Sequence, residues 1–344
     1  MGWSRKDFFK VLGLGSLAGL PISSIACDND TSKQLIKPKT LSKGDVIGMP
    51  SPGFLINDQN AYDEIISTIE KLGFKVKQGK NARNRFGYFA GTDKERAEDI
   101  NALFSDPEVN AIIPFRGGWG TNRILDLLDY SLIENNPKAL IGFSDITALL
   151  LAIHTKTGMV TFHGPVGKSE WSDFTVASFE SVLMQKNPTE LVNPPKSSGF
   201  APSRFRTITS GKCSGKLIGG NLSVLTSMLG SSYIPEWRNA ILFVEDVGES
   251  VYRIDRMLTQ LKLNGILNSI NGFIFGRCTD CTKGYEYGFT LEQILDQHIK
   301  ELEIPAFYGS MIGHLDHMFT VPIGINAEMD SNTGSIKILQ SATR

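Results

Sequence analysis

Cysteine is scarce in this sequence, with four residues in 344, and that number excludes a small fold held together by disulfides. A charge excess is also missing, because 35 lysines and arginines balance 36 acids to give a formal net charge of -1. Proteins that bind nucleic acid usually carry a clear basic excess, so nucleic acid is not an expected partner. The same balance gives no attraction to an anionic membrane surface.

A hydrophobic run long enough to span a bilayer comfortably is lacking at the amino terminus, where the apolar stretch covers only residues 11–26. It follows a short basic start, an order typical of an export signal. Residues 4–10 (SRKDFFK) resemble a twin-arginine motif with lysine in place of the second arginine. Ala26-Cys27 resembles the end of a bacterial lipoprotein signal, although Ser24 stands where leucine is usual.

We therefore expect an exported protein, periplasmic or membrane-anchored, that is cleaved before Cys27 and lipidated on that residue. The lipid would be its sole contact with the membrane. The alternative is a disordered hydrophobic tail.

The remaining sequence has the composition of a globular protein, with 41% hydrophobic and 21% charged residues. Short apolar runs alternate with stretches of helical spacing through the first half, which predicts an α/β fold with a parallel sheet. The expected organisation is a signal (1–26), a tether (27–42), an N-terminal α/β domain (43–170), a linker (171–205) and a C-terminal domain richer in strands (206–344).

Three local predictions can be compared directly with a structure. Residues 119–128 have the spacing of a helix. Residues 319–327 read as a strand, in which Pro322 indicates a sheet edge or a bulge. Residues 330–334 (DSNTG) read as a hairpin loop.

Ser144 lies where a buried strand, residues 139–143, gives way to a helix. A serine on such a turn is well presented, and the first amides of the helix favour negative charge beside it. This geometry suits a nucleophile whose attack creates an oxyanion. The alternative is that Ser144 only caps the helix, and Ile146 stands where a full G-x-S-x-G motif would have its second glycine.

A glycine-rich segment, residues 116–120 (RGGWG), also follows a buried strand. Its glycines let the backbone approach a ligand closely, and its amides could complete an oxyanion hole. Phosphate binding is the rival interpretation, but the spacing fits neither of the common glycine-rich phosphate loops.

Acids and histidines for a serine mechanism occur later in the chain. An apolar strand ends in Glu245, Asp246 and Glu249, and residues 313–317 (GHLDH) contain His314 and His317. A histidine can take the serine proton while a carboxylate fixes its tautomer. The acids could equally be solvated, and a metal pair of the two histidines lacks a third nearby ligand, so no metal is expected.

Cys278 and Cys281 have the spacing of a redox or half-zinc motif. They follow a strand of the second half, and no second pair is present for zinc. We expect a structural role.

The ordered motifs of the chain resemble one family. They are 50–53 (PSPG), 116–120 (RGGWG), 142–147 (GFSDIT), 163–165 (HGP), 244–247 (VEDV), 249–256 (ESVYRIDR), 313–314 (GH) and 322–324 (PIG). Together they resemble the LD-carboxypeptidase family, which includes muramoyltetrapeptide carboxypeptidases and a microcin-immunity branch. The resemblance covers residues 41–339, with Phe143 in place of the usual tyrosine and Trp119 as the aromatic of the glycine loop.

The resemblance implies Ser144 as the nucleophile, Glu245 as the orienting acid and His314 as the general base. It also implies an oxyanion hole made by the Asp145 amide and a glycine-loop amide, that of Gly117. Glu249 is the alternative to Glu245, since both lie near the same strand end.

The family further implies a flavodoxin-like N-terminal half, a β-rich C-terminal half, a homodimer, and neither metal nor organic cofactor. The implied reaction releases the terminal D-alanine of a peptidoglycan tetrapeptide, with a muropeptide or another small peptide as substrate. Gly118, Trp119 and Arg116 are expected to line the substrate site. Arg116 or Arg256 could bind the terminal carboxylate, and structural ion pairing is the alternative for both.

Two other functions remain open at this point. A microcin-immunity peptidase would use the same triad. A non-enzymatic, exported solute-binding lipoprotein would use the glycine loop as a cradle and Ser144 only as a cap.

Overall fold

A computed structural model describes residues 35–195, 199 and 205–344 of the chain. The expected signal and Cys27 lie outside the described residues. Its strands are β1 (Val46–Met49), β2 (Lys75–Gln78), β3 (Val109–Ile112), β4 (Ala139–Gly142), β5 (Thr161–His163), β6 (Glu190–Leu191), β7 (Arg206–Thr209), β8 (Lys212–Asn221), β9 (Ile241–Val247), β10 (Gly272–Thr279), β11 (Ala306–Tyr308), β12 (Val321–Ile323), β13 (Asn326–Asp330) and β14 (Ser335–Ile338).

Eight α-helices of the described residues connect these strands. They are α1 (Gln59–Lys71), α2 (Asp93–Ser105), α3 (Tyr130–Asn135), α4 (Thr147–Thr157), α5 (Asp173–Leu183), α6 (Leu222–Ser227), α7 (Val251–Leu263) and α8 (Leu291–Ile299). Among the described residues, no helix is both long and apolar enough to cross a membrane.

The first sheet has the strand order β2-β1-β3-β4-β5-β12, in which β1 to β5 are parallel and β12 is antiparallel. The order of its first five strands is the flavodoxin-like one, so this prediction is confirmed. Strands β3 and β4 are almost wholly buried, as parallel strands between helices are. Ligands of such sheets bind at the carboxyl ends of the strands, beside the point where the strand order reverses. Here that point lies between β1 and β3.

The second sheet has the order β6-β14-β13-β8-β9-β10-β11-β7. It is rich in strands, as expected, and mixed. Its centre, β8 to β11, is parallel, and its outer pairs are antiparallel. The carboxyl ends of the four central strands therefore share one edge, which gives this sheet a second place where loop residues can meet.

Two local predictions near the carboxyl terminus can be judged. Residues 319–327 do not form one strand, because the left-handed Gly324 (φ +90°) separates β12 from β13 and sends them to different sheets. Pro322 lies on the edge strand β12, as predicted. The hairpin is confirmed, since Asp330 pairs with Ser335 across the β13–β14 turn.

The predicted helix at 119–128 is confirmed in part, because residues 121–127 form a helix, but one of the 3₁₀ type. Gly118 and Gly120 have φ values of +115° and +124°, which a right-handed helix cannot include, so the turn begins only after them. The expected linker, 171–205, contains α5, whose Phe179, Val182 and Leu183 are buried. The domain boundaries themselves stay predictions.

Candidate active site

Ser144 stands at the carboxyl end of β4 in a strained backbone conformation. Its φ of +60° is unusual for a residue with a side chain, and such strain persists only where the surrounding structure enforces it. The short 3₁₀ turn that starts at Ser144 runs directly into α4, and neither has a side-chain cap. The interpretation of Ser144 as a simple cap therefore finds no support, and the turn presents a partly exposed hydroxyl.

The glycine loop packs directly against this serine. A methyl group added to Gly117 would lie 3.2 Å from the Ser144 Cβ and 3.4 Å from the Asp145 amide nitrogen. The Gly117 backbone and the Asp145 amide thus border the same small space beside the serine. Two amides in that position can stabilise a developing oxyanion.

A buried arginine holds the glycine loop in place. Arg96 donates to the carbonyl oxygens of Pro52 and Gly120, the latter at 3.0 Å, and its guanidinium stacks 4.4 Å from the centre of the Phe89 ring. Asp93 completes its pairing. Arg96 therefore ties together the loops that follow β1 and β3.

The Asp145 side chain supports the same loop from the other side. Its Oδ2 accepts from the Thr121 amide at 3.0 Å, while its carboxyl group is almost fully buried. Burial raises the pKa of Asp145 to about 6, against the lowering effect of its hydrogen bonds. Its backbone amide faces the site, whereas its side chain is structural.

Glu245 and His314 form a hydrogen-bonded pair at the edge of the second sheet. Oε2 of Glu245 lies 2.8 Å from Nδ1 of His314, and Asn221 donates to Oε1 at 3.1 Å. The Glu245 side chain is fully buried, and that of His314 is 21% exposed. Burial alone would raise the pKa of Glu245, but the hydrogen bond and charge interaction with His314 outweigh it, so the pKa is lowered.

The serine side and the histidine side of the site meet through Phe143. This residue directly precedes Ser144, and its ring centre lies 4.8 Å from that of His314. Gly313 lets the backbone before His314 lie close to Glu245, since a methyl group on Gly313 would be 3.1 Å from the Glu245 carboxylate. With Nδ1 held by Glu245, Nε2 is the nitrogen available for proton transfer. Phe143, the residue next to Ser144, therefore contacts the ring of His314, which is paired with Glu245.

The other acids near Glu245 have separate partners. Glu249 accepts from Ser223 at 3.4 Å and pairs with Arg253 at 3.6 Å. Asp246 accepts from the Ser223 hydroxyl at 2.7 Å, and burial raises its pKa to about 6. Neither acid has a hydrogen bond to His314, which favours Glu245 over the alternative Glu249.

The remaining histidines do not form a metal site. Nδ1 of His317 forms a hydrogen bond with the Ser172 hydroxyl at 2.7 Å, whereas Nδ1 of His314 pairs with Glu245. No group of three potential metal ligands occurs within the described residues. His163 is fully buried beside Phe143 and Phe243, and burial lowers its pKa to about 4, so this ring is neutral.

The expected substrate-binding residues lie on the surface of the glycine loop. Gly118 is exposed, and Trp119 is 43% exposed. Arg116 extends over the Phe54 ring, 5.7 Å from its centre. Arg116 also donates from Nη1 to the Leu55 carbonyl at 3.5 Å, and Arg256 is exposed on α7.

Asn221 and Arg96 were not predicted from the sequence as residues of the site. Asn221 is the neighbour of Glu245 in the β8–β9 register, and it also caps α6 by accepting from Val224. A Gly-Gly-Asn run at the end of a strand was its only local signal. Arg96 lies in the first turn of α2 among other charged residues, and nothing in the sequence distinguishes a buried arginine there from an exposed one.

Comparison with known proteins defines the class. A model of the LD-carboxypeptidase N-terminal domain matches residues 47–164, and one of the C-terminal domain of the same family matches residues 214–329. The chain belongs to the LD-carboxypeptidase family, and it is a peptidase-type hydrolase.

Particular relatives represent both branches of the family. "Probable murein peptide carboxypeptidase" of Bacillus subtilis is 40% identical over 305 residues, which are 86% of this chain and 92% of the relative. A structure of MccF in complex with glutamyl sulfamoyl guanosine is 30% identical, with a TM-score of 0.81 over 90% of this chain and 99% of the other. The muramoyltetrapeptide carboxypeptidase of Oxalobacter formigenes is 29% identical, with a TM-score of 0.73 over 85% and 97% of the two chains.

Proposed function

We propose that the protein is a serine-type LD-carboxypeptidase that releases the terminal D-alanine from peptidoglycan-derived tetrapeptides. The observation that supports this most strongly is the 2.8 Å pairing of Glu245 with His314, next to a serine on a strained turn. The murein peptide carboxypeptidase of Bacillus subtilis, with which the chain shares 40% identity, supports the substrate class.

In the proposed reaction, His314 takes the proton of Ser144 as the hydroxyl attacks the scissile carbonyl. Glu245 holds the imidazole in the required tautomer and stabilises the imidazolium that forms. The amides of Asp145 and Gly117 receive the negative charge of the tetrahedral intermediate. His314 then protonates the leaving D-alanine, and water hydrolyses the acyl-enzyme.

The test is a Ser144→Ala variant incubated with a muropeptide tetrapeptide. Mass spectrometry should detect tripeptide and free D-alanine with the natural protein and neither product with the variant, because no nucleophile remains. Ser105→Ala is the matched control, since Ser105 is an exposed serine at the end of α2 and should leave turnover unchanged. Normal turnover by Ser144→Ala would exclude the serine mechanism.

A microcin-immunity-type peptidase is the second candidate, favoured by the TM-score of 0.81 with MccF. The same triad would serve it. Glutamyl sulfamoyl guanosine, the ligand of that MccF structure, is a suitable probe. Cleavage of this compound, with no cleavage of the tetrapeptide, would favour the second candidate. A purely ligand-binding protein would cleave neither compound, and Ser144 would not react with a serine-directed probe.

We also propose that the protein is exported, is anchored through a lipid on Cys27 and forms a homodimer. Radiolabelled palmitate should label the natural chain and not a Cys27→Ala variant. Light scattering on the purified protein should give twice the chain mass, and a single-chain mass would contradict the dimer.

A further inference from the structure

A short segment closed by a disulfide, residues 278–281, begins in the last two residues of β10, the strand that pairs with β9. Cys278 and Cys281 are bonded, and Thr279 and Asp280 lie between them. Asp280 has a φ of +54°, a left-handed conformation that costs energy for a residue with a side chain. A closed loop restricts the alternatives to this conformation, so the disulfide keeps Thr279 in a defined place.

Backbone hydrogen bonds attach this loop to the end of β9, which carries Glu245. The Gly248 amide donates to the Thr279 carbonyl at 2.8 Å. The Thr282 amide donates to the Glu249 carbonyl at 3.0 Å. The loop is therefore fixed to the end of β9, the strand that carries Glu245.

The same loop also contacts the backbone of the histidine. The hydroxyl of Thr279 donates to the carbonyl oxygen of His314 at 2.8 Å. Just before it, the Arg277 amide donates to the Ile312 carbonyl at 2.9 Å. His314 lies in residues 309–320, which contain neither helix nor strand, so its position depends on contacts of this kind.

These contacts give His314 two independent anchors. Glu245 holds the ring at Nδ1, and Thr279 holds the backbone carbonyl of the same residue. A general base must stay within hydrogen-bond reach of the proton that it accepts, and a displacement of about 1 Å can cost about 10²-fold in rate. An anchor on the backbone therefore affects the chemical step without touching the substrate.

We propose that Thr279 is a positioning residue for His314 and that the Cys278–Cys281 disulfide keeps it in place, which makes the reactivity of Ser144 sensitive to reduction. The inference rests on the proposed role of His314 as the general base. An external dithiol would reduce this disulfide and release the loop. Its two thiol hydrogens pass to the sulfurs of Cys278 and Cys281, the protein disulfide breaks, and the dithiol becomes a cyclic disulfide.

The first test compares Thr279→Val with Thr279→Ser. Valine keeps the shape and removes the donor, whereas serine keeps the hydroxyl. The labelling rate of Ser144 with a fluorophosphonate probe should fall about tenfold in Thr279→Val, the upper range for one hydrogen bond, and recover in Thr279→Ser. With the tetrapeptide, kcat should fall while KM stays the same. Equal rates for Thr279→Val and the natural protein, or no recovery with serine, would overturn the inference.

The second test treats the natural protein with dithiothreitol. The labelling rate should fall to about that of Thr279→Val, and a Cys278→Ser/Cys281→Ser variant should be slow and insensitive to the reagent. Cys213→Ser is the matched control, because Cys213 is a free thiol distant in sequence and should leave the response unchanged. An unchanged rate after complete reduction, measured by thiol titration, would overturn the role of the disulfide.

Failure of the inference and failure of the proposed function give different results. Probe labelling needs Ser144 and its base but not the natural substrate. If the tetrapeptide is not cleaved while labelling still depends on Thr279, the proposed substrate is wrong and the inference holds. If the tetrapeptide is cleaved and the Thr279 variants react normally, the proposed substrate is correct and the inference about Thr279 is wrong.

Discussion

The negative charge of Glu245 should account for a large part of the rate, and a Glu245→Gln variant measures that part. Glutamine preserves the length and planar shape of the side chain. Its single carbonyl oxygen can take the place of Oε2 and accept from Nδ1 of His314, while its amide group replaces Oε1, the oxygen that accepts from Asn221. The change therefore removes a charge from a fully buried site without opening a cavity, so folding should be retained.

The expected magnitude follows from the distance. Two unit charges 2.8 Å apart interact by about 6 kcal/mol at an effective dielectric constant of about 20. This attraction arises when His314 becomes an imidazolium, and the Glu245→Gln variant lacks it. The neutral hydrogen bond that glutamine retains is worth about 1 kcal/mol. We therefore expect kcat to fall by between about 10³-fold and 10⁴-fold.

The assay is release of D-alanine from the tetrapeptide, with near-ultraviolet circular dichroism to verify the fold. Glu249→Gln is the matched control, because Glu249 pairs with Arg253 and not with His314, and its rate should stay within about twofold of the natural one. A Glu245→Gln variant that keeps a tenth or more of the rate, beside an inactive Glu249→Gln, would refute the assignment.

Two further predictions concern the surroundings of the triad. Gly117→Ala places a methyl group 3.2 Å from the Ser144 Cβ, which should push the Gly117 amide away from the proposed oxyanion and lower kcat/KM for the tetrapeptide about 10²-fold. An unchanged value would argue against a role of Gly117 in the oxyanion hole. Burial raises the pKa of Asp246 from 3.8 to about 6, so the folded protein binds this proton more tightly and its stability falls as the pH rises from about 4 to 6. In urea denaturation, the free energy of unfolding of Asp246→Asn should decrease by about 3 kcal/mol less than that of the natural protein over this pH range. An identical pH dependence in both proteins would contradict the buried, protonated state.

The first sheet could be predicted from the sequence because its signals are local. Short apolar runs alternate with helical spacing, and this alternation leaves few topologies other than a parallel sheet. The position of Ser144 followed from the same pattern, because the strand and the helix on either side of it are both strongly apolar.

The supports of the site could not be predicted, because each is a contact between segments far apart in the sequence. Asn221 meets Glu245 through the register of two strands, and Thr279 meets His314 across 35 positions. The later start and the 3₁₀ type of the helix predicted at residues 119–128 have a different cause. Their spacing was helical, but the dihedral angles of Gly118 and Gly120 decided the local conformation.

Strand β12 explains how two sheets can share one site. Val321 of this strand pairs with His163 of β5, and His163 pairs in turn with Gly142 of β4. Gly142 precedes Ser144 by two residues, and His314 precedes Val321 by seven, so this three-strand register links the segments that carry the serine and the histidine. Because β12 comes from the C-terminal half of the chain, the first half alone would leave the edge of β5 unpaired. The site therefore depends on the chain returning to its first sheet, and we expect a register shift at β12 to move His314 away from Ser144.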